Sequence, residues 1–148
     1  MKTLSQYDRQ ANGFLRTTGA AIEKTYLKTG KHFADDTQDR DIYSIIIRRG
    51  NDAMQLDFGQ SIQSTQERAE AMRKAMPFCP QSFAPSNYDI LACLQKTDPG
   101  TLHDFCLDCG YDEDSKKAEK IYDAVVKEYK DLCRLFSDKE LEAMQEIA

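Results

Sequence analysis

The segment from His103 to Ser115, HDFCLDCGYDEDS, contains the residue types most able to do chemistry in this 148-residue chain. Cys106 and Cys109 form a Cys-x-x-Cys pair, and His103 precedes this pair by three residues. Thiolate and imidazole groups at this spacing can hold zinc, and a reactive Cys-x-x-Cys pair can exchange disulfides. The segment therefore raises two chemical hypotheses, a metal site and a redox site.

Neither hypothesis fits the rest of the sequence. A structural zinc site usually takes four ligands from two separated pairs, whereas the remaining cysteines, Cys79, Cys93 and Cys133, lie singly in apolar contexts. A reactive Cys-x-x-Cys pair sits at a helix N-terminus, but this pair ends a predicted helix, where the helix dipole opposes thiolate formation. We therefore predict that the cysteines are small hydrophobic core residues, with no metal and no cofactor.

The same segment is rich in carboxylates. Six lie between residues 98 and 114, without a Lys or Arg among them. An EF-hand is excluded, because the run has neither the glycine nor the final glutamate of that loop. Helix-start preference accounts for Asp104 and for residues 112–114 if one helix ends at Gly110 and the next begins at Asp114. The alternative is an acidic partner-binding surface formed by Asp98, Asp108, Asp112, Glu113 and Asp114.

Catalysis has little support in the sequence. There are two histidines, and no nucleophile elbow, zinc-protease, P-loop or dinucleotide motif occurs. A small metal-dependent nuclease that uses carboxylates alone stays an alternative, because sequence does not show which acids converge. Arg48 and Arg49 form a basic tip that could contact nucleic acid, although charged residues also protect sheet edges from mispairing.

Composition favours one globular domain over residues 1–148 and a reducing compartment. The chain is 41% hydrophobic and 30% charged, which is typical of a globular protein. It shows no signal peptide or membrane span. Its five cysteines are an odd number, which argues for reduced thiols and against a disulfide scaffold. Residues 1–60 carry nine basic and eight acidic groups, whereas residues 61–148 carry eleven and seventeen. This acidic helical half disfavours phosphate-backbone binding and favours a basic partner in the cytoplasm.

A β-hairpin is the clearest structural prediction. The stretch IYSIIIRRGNDAMQLDFG alternates apolar and polar residues on both sides of Gly50-Asn51, a favoured two-residue turn. If Arg49 pairs with Asp52, then Tyr43 faces Phe58 and the apolar residues of both strands share one side. Residues 20–27 also alternate and predict a third antiparallel strand, and residues 28–39 predict a polar loop.

Helices are predicted for most of the remaining chain. The first lies before Gly19, with Ser5 as its N-cap, and another covers residues 61–76. A proline-rich connector, residues 77–86, leads to helices capped by Ser86 and Thr101, a long helix from about 114 to 136, and a last helix capped by Ser137. The predicted fold is α+β, with an N-terminal helix, a three-stranded antiparallel meander and a helical C-terminal half.

The chain resembles an uncharacterised family of short proteins encoded by bacteriophages and mobile elements of gut bacteria. The resemblance covers most of the chain after Gly19 and is carried by FGQS, YDILACL, DPG and GYDEDS. It implies an accessory protein in the host bacterial cytoplasm. Together with the acidic half, it favours a non-enzymatic inhibitor of a nucleic-acid-processing enzyme, such as an anti-CRISPR or other counter-defence protein. The alternative is a nucleic-acid-binding accessory factor in phage replication or recombination.

Overall fold

The computed structural model describes residues 3–62, 70 and 80–147. These residues form α1 (Leu4–Thr18), β1 (Ala20–His32), β2 (Asp35–Arg49), β3 (Asp52–Ser61), α2 (Asn87–Cys93), α3 (Leu102–Cys109), α4 (Lys116–Leu135) and α5 (Asp138–Ile147). The sheet is antiparallel with order β1-β2-β3, which confirms the predicted α+β class. The helix predicted for residues 61–76 and the first part of the connector lie almost entirely outside the described residues.

The predicted β2–β3 hairpin is confirmed residue by residue. Arg49 pairs with Asp52 and Tyr43 with Phe58, as the two-residue turn requires. Gly50 has φ +60°, a left-handed conformation that glycine adopts without a Cβ penalty. Ile45 and Ile47 are fully buried, so the apolar alternation of this ribbon did identify its core face.

The prediction of a polar loop at residues 28–39 is wrong, because the two strands of the first hairpin extend beyond their apolar residues. β1 continues to His32, β2 begins at Asp35, and a tight turn at Phe33 and Ala34 joins them. A register shift after Tyr26 lets the strands stay paired beyond their apolar part. Backbone hydrogen bonds between two strands do not depend on side-chain polarity, so the polar ends also form a ribbon.

Four of the described helices share one hydrophobic core with a face of the sheet. α1, α2, α5 and the C-terminal half of α4 join Tyr43, Ile45, Ile47 and Met54 in the main hydrophobic core. The N-terminal half of α4 packs instead against α3, in a second, smaller core. None of the described helices combines the length and apolar content that crossing a membrane requires.

Local capping sets where the helices begin. Ser86, Thr101 and Ser137 accept hydrogen bonds from the first turns of α2, α3 and α5, as predicted. Ser5 was wrong as the N-cap of α1: Thr3 takes this role, because Gln6 bonds back to its backbone N–H and closes a capping box. α4 begins two residues later than predicted, with Ser115 as its N-cap.

A buried carboxylate ties the connector to the sheet. Asp41 has no solvent exposure and accepts hydrogen bonds from the Thr29 hydroxyl, the Gln81 backbone N–H (2.7 Å) and the Ser82 hydroxyl (2.6 Å). A buried carboxylate is tolerated where several donors replace its water. Asp41 therefore joins β1, β2 and the connector at one point.

An ion pair holds the tip of the β2–β3 hairpin against α5. The Arg49 guanidinium donates to both carboxylate oxygens of Glu140, at 2.6 and 2.8 Å, and to the Leu135 carbonyl at 2.8 Å. It also lies over the Phe136 ring, 5.5 Å from its centroid. Arg134 donates to the Ala53 carbonyl at 2.6 Å on the other side of the turn. Cations from the hairpin (Arg49) and from α4 (Arg134) thus fasten the hairpin tip.

Replacing Asp41 by alanine should lower the free energy of unfolding by about 2–4 kcal/mol, because the donors that face it would stay buried without an acceptor. Urea unfolding at pH 7 measures this change. Ser82→Ala is the matched control, since it removes one donor and should cost about 1 kcal/mol. Equal losses in the two variants would contradict the central role of Asp41.

Arg49→Met should lower the melting temperature by about 5 °C. In a double-mutant cycle with Glu140→Gln, the losses of stability from the two substitutions should not add, because each removes the same interaction. The hydrogen bond from Arg49 is the main cause that lowers the pKa of Glu140. The stability from this shift is present above the ordinary carboxyl pKa and is lost as pH falls through the lowered one. Melting curves at decreasing pH should therefore show less acid destabilisation in Arg49→Met.

The control for this prediction is the neighbouring arginine. Arg48 bonds to Glu23 at 3.1 Å, but both side chains are more than half exposed, so Arg48→Met should change the melting temperature by no more than about 2 °C. Parallel stability–pH curves for wild type and Arg49→Met would show that the Glu140 pair does not stabilise the fold.

Candidate functional site

The HDFCLDCGYDEDS segment forms α3 and the turn that leads into α4. Thr101 caps α3, and Gly110 ends it with φ 75°, so both predicted boundaries are confirmed. Phe105 and Cys106 are buried against Ala118 and Ile121 of α4. The Tyr122 hydroxyl donates to the Gly100 carbonyl at the other end of α3. The helix is short, but contacts along its length hold it on α4.

The cysteines are not the uniform core set that the sequence predicts. Cys106 is buried, but Cys93, Cys109 and Cys133 are exposed, and Cys79 lies outside the described residues. Helical spacing predicted that these cysteines lie on the apolar faces of their helices, but it does not show how far each apolar face extends. Burial raises the pKa of the Cys106 thiol, and the nearby Glu113 carboxylate raises it further, so this environment disfavours the reactive thiolate.

His103 does not join the cysteines in a metal site. Its Nδ1 lies 3.1 Å from a carboxylate oxygen of Glu113, and both side chains are at least half exposed. In the ranges that the structure describes, no group of three or more His, Cys, Asp or Glu residues is arranged to hold a metal ion.

The side of α3 that faces away from α4 combines acidic and apolar groups. His103, Asp104, Leu107 and Asp108 share this side, because residues three and four apart are neighbours on a helix. Leu107 is 68% exposed, although it is an aliphatic residue. Glu113 reaches this side through His103. We call these five residues the acidic α3 surface.

The predicted binding carboxylates have different local roles. Asp98 accepts a hydrogen bond from the Gly100 N–H at 2.8 Å, and Asp112 accepts one from the Asp114 N–H at 3.0 Å, so both stabilise turns. Within the described part of the chain, Asp108 and Asp114 make no hydrogen bond or ion pair through their side chains. All of these residues are exposed.

Asp108 is the carboxylate that local structure explains least. It lies in the last turn of α3, next to the negative end of the helix dipole, where an acidic side chain is unfavourable. The last turn of this helix contains no basic residue to offset it. Helix-start preference therefore does not account for Asp108, whereas it does account for Asp104 in the first turn.

The two arginines of the predicted basic tip are engaged within the chain. Arg49 is bonded to Glu140 and Leu135, as described above, and Arg48 bonds to Glu23 across the β1–β2 pair. The sequence indicated an exposed cationic pair because it does not show that α5 returns to the hairpin turn. The two arginines therefore have different partners, and none of these partners belongs to the acidic α3 surface.

A cavity of about 670 Å³ lies between β3 and α4, and its lining includes Leu56, Phe58 and Val125. Glu128 at its wall accepts a hydrogen bond from the Gln95 N–H at 2.7 Å, and burial raises the pKa of this carboxyl. His32 also lines the cavity, and its ring nitrogens contact the Asp57 carbonyl and the Ala34 N–H. The Glu128 carboxylate and the His32 ring thus bond to backbone atoms and help to position the chain around the cavity.

Comparison of the chain with protein-family models, with curated protein sequences and with solved structures finds no match. A function must therefore be inferred from the acidic α3 surface itself.

Alkylation of the native protein should distinguish the two thiols of the Cys-x-x-Cys pair. In protein prepared without chelator, iodoacetamide should modify exposed Cys109 at least about tenfold faster than buried Cys106, because both burial and a raised pKa protect the latter. Peptide mass spectrometry measures the two rates, and unfolded protein is the control in which they should converge. Labelling of both thiols only after EDTA treatment would indicate a bound metal and contradict this description.

Proposed function

We propose that this chain is a non-enzymatic accessory protein of a bacteriophage or mobile element that binds and inhibits a nucleic-acid-processing enzyme in the host bacterial cytoplasm. An anti-CRISPR protein or another counter-defence inhibitor is the class that fits this description. The observation that carries the proposal is the acidic α3 surface, with an exposed leucine among carboxylates. The phage setting comes from the sequence resemblance.

The composition of this surface matches a protein-binding site. Protein interfaces commonly have an apolar centre with a polar rim, and Leu107 with Asp104, Asp108 and Glu113 has this arrangement. Enzymes that act on nucleic acids bind phosphates with Lys and Arg. A series of carboxylates on a rigid helix can occupy the same cationic groove and exclude the substrate.

Energetic considerations favour a binding role for Asp108. An acidic group at a helix C-terminus costs a few tenths of a kcal/mol, up to about 1 kcal/mol, and no described group offsets this cost for Asp108. In a complex with a basic partner, the negative charge of Asp108 would be favourable instead of unfavourable. Leu107 would meanwhile lose its exposure to water, which favours association.

The other candidate functions have less support in the described residues. The Arg48–Arg49 tip is a poor nucleic-acid contact, because Arg49 is bonded to Glu140. A carboxylate-only nuclease would need convergent acids, which the described residues do not form.

Neutralising Asp108 on the acidic α3 surface and Asp114, the predicted binding residue next to Glu113, should weaken partner binding and leave the fold intact. The partner is captured from a bacterial host lysate with the unmodified chain and then purified. We expect Asp108→Asn with Asp114→Asn to reduce its affinity at least about tenfold at low salt and to flatten its salt dependence. The melting temperature should change by no more than about 2 °C, because exposed charges contribute little to stability.

Two controls make this experiment specific. Glu142→Gln with Glu146→Gln removes the same charge from exposed positions on α5 and should leave affinity unchanged. Leu107→Ser should weaken binding without altering the salt slope, because it removes apolar contact only. A captured partner that does not bind nucleic acid, or equal affinities in the two charge variants, would refute the proposed inhibitor.

A further inference from the structure

Lysines from two distant parts of the chain line one groove. Lys28 and Lys31 belong to the polar end of β1, and Lys116, Lys117 and Lys120 belong to the first turns of α4. Together with His32, Phe33, Ile42 and Asp57 they surround a cavity of about 520 Å³. We call it the lysine groove. Nothing in the sequence pattern joins these positions, since about 85 residues separate the two groups.

The charge of the lysine groove is only partly compensated. Lys31 pairs with Asp39 at 3.0 Å, and Asp57 contributes a carboxylate to the wall. Within the part of the chain that the structure describes, Lys28, Lys116 and Lys120 make no ion pair. Like charges gathered in a concave surface focus a positive potential and attract anions. The N-terminus of α4, a helix of 20 residues, adds to this potential.

An aromatic ring lies at the same groove. Phe33 is 39% exposed, although it is a large apolar side chain in a two-residue turn. Its ring contacts His32, with centroids 4.5 Å apart. The His32 Nδ1 accepts the Ala34 N–H at 3.2 Å, so Nε2 carries the hydrogen that it donates to the Asp57 carbonyl at 3.1 Å. His32 is therefore held in place and supports Phe33 beside the lysines.

We propose that the lysine groove binds single-stranded nucleic acid, with the lysines contacting phosphates and Phe33 stacking on a base. Cationic grooves with exposed aromatic rings are the usual means of binding single strands without sequence preference. A double helix fits less well, because Asp112, Glu113 and Asp114 lie two to four residues before Lys116 and would repel the phosphates of a second strand. The lysine groove and the acidic α3 surface have no residue in common.

The test is fluorescence anisotropy with a labelled 12-nucleotide oligothymidine and the full chain at several salt concentrations. Lys116→Glu with Lys120→Glu should reduce affinity at least tenfold and lower the salt slope by about 1.4, since each single-strand phosphate contact contributes about 0.7. These substitutions should preserve the fold, because glutamate is favourable in the first turns of a helix. Phe33→Ala should reduce affinity about tenfold and leave the salt slope unchanged.

Matched variants separate this site from the proposed inhibitor. Lys130→Glu with Lys139→Glu makes the same charge change at exposed positions outside the groove and should weaken binding much less. Asp108→Asn with Asp114→Asn should not weaken it, so the two proposals can fail independently. Equal losses of oligonucleotide affinity in the two lysine double variants would overturn the proposal, as would an unchanged affinity in Phe33→Ala. A third outcome is that the protein does not bind the oligonucleotide but self-associates, and that Lys116→Glu with Lys120→Glu abolishes this self-association. That outcome would overturn the proposal and show that the groove binds the acidic surface of a second copy.

Discussion

The bidentate pair between Arg49 and Glu140, which lie 91 residues apart in sequence, joins the two halves of this molecule. Hydrophobic burial drives the helices onto the sheet, but burial is not directional and does not by itself select one orientation. The fork geometry of a guanidinium on a carboxylate does select one. Glu140 also accepts the Ser137 N–H at 2.9 Å, so the same carboxylate positions the start of α5. The hairpin turn and the last helix are therefore set relative to each other at a single point.

α4 transmits this arrangement to the candidate surfaces. Its C-terminal half contributes Leu132 and Leu135 to the main core, whereas its N-terminal half packs Ala118 and Ile121 against α3. One continuous helix thus carries the acidic α3 surface on one side and three lysines of the lysine groove in its first turns. Both surfaces lie on helices and paired strands rather than on long loops. Such support keeps the side chains in place and reduces the entropy lost on binding.

The arrangement of charge is more informative than the net charge of −5. The carboxylates between residues 98 and 114 cluster around α3, while the lysines of β1 join those of α4. A protein with separate acidic and basic surfaces can contact a cationic enzyme groove and a nucleic acid at different places.

The sequence alone determined the features that depend on neighbouring residues. The β2–β3 hairpin followed from Gly50-Asn51 and the strict alternation around it, and the caps at Ser86, Thr101 and Ser137 followed from hydroxyls beside apolar helical patterns. These interactions span a few residues, so local composition is sufficient to specify them. The placement of Asp104 in the first turn of α3 belongs to the same class.

Only the tertiary structure decided what depends on partners far along the chain. The polar ends of β1 and β2 look like a loop until backbone pairing joins them. Arg49 looks like a free cation until α5 supplies Glu140. Cys109 looks like a core residue until the structure shows that it is exposed, at the last position of α3. The lysine groove is the strongest case, because its members come from a strand and a helix with no shared pattern. Proximity in space arises from packing, and sequence spacing records packing only within one element.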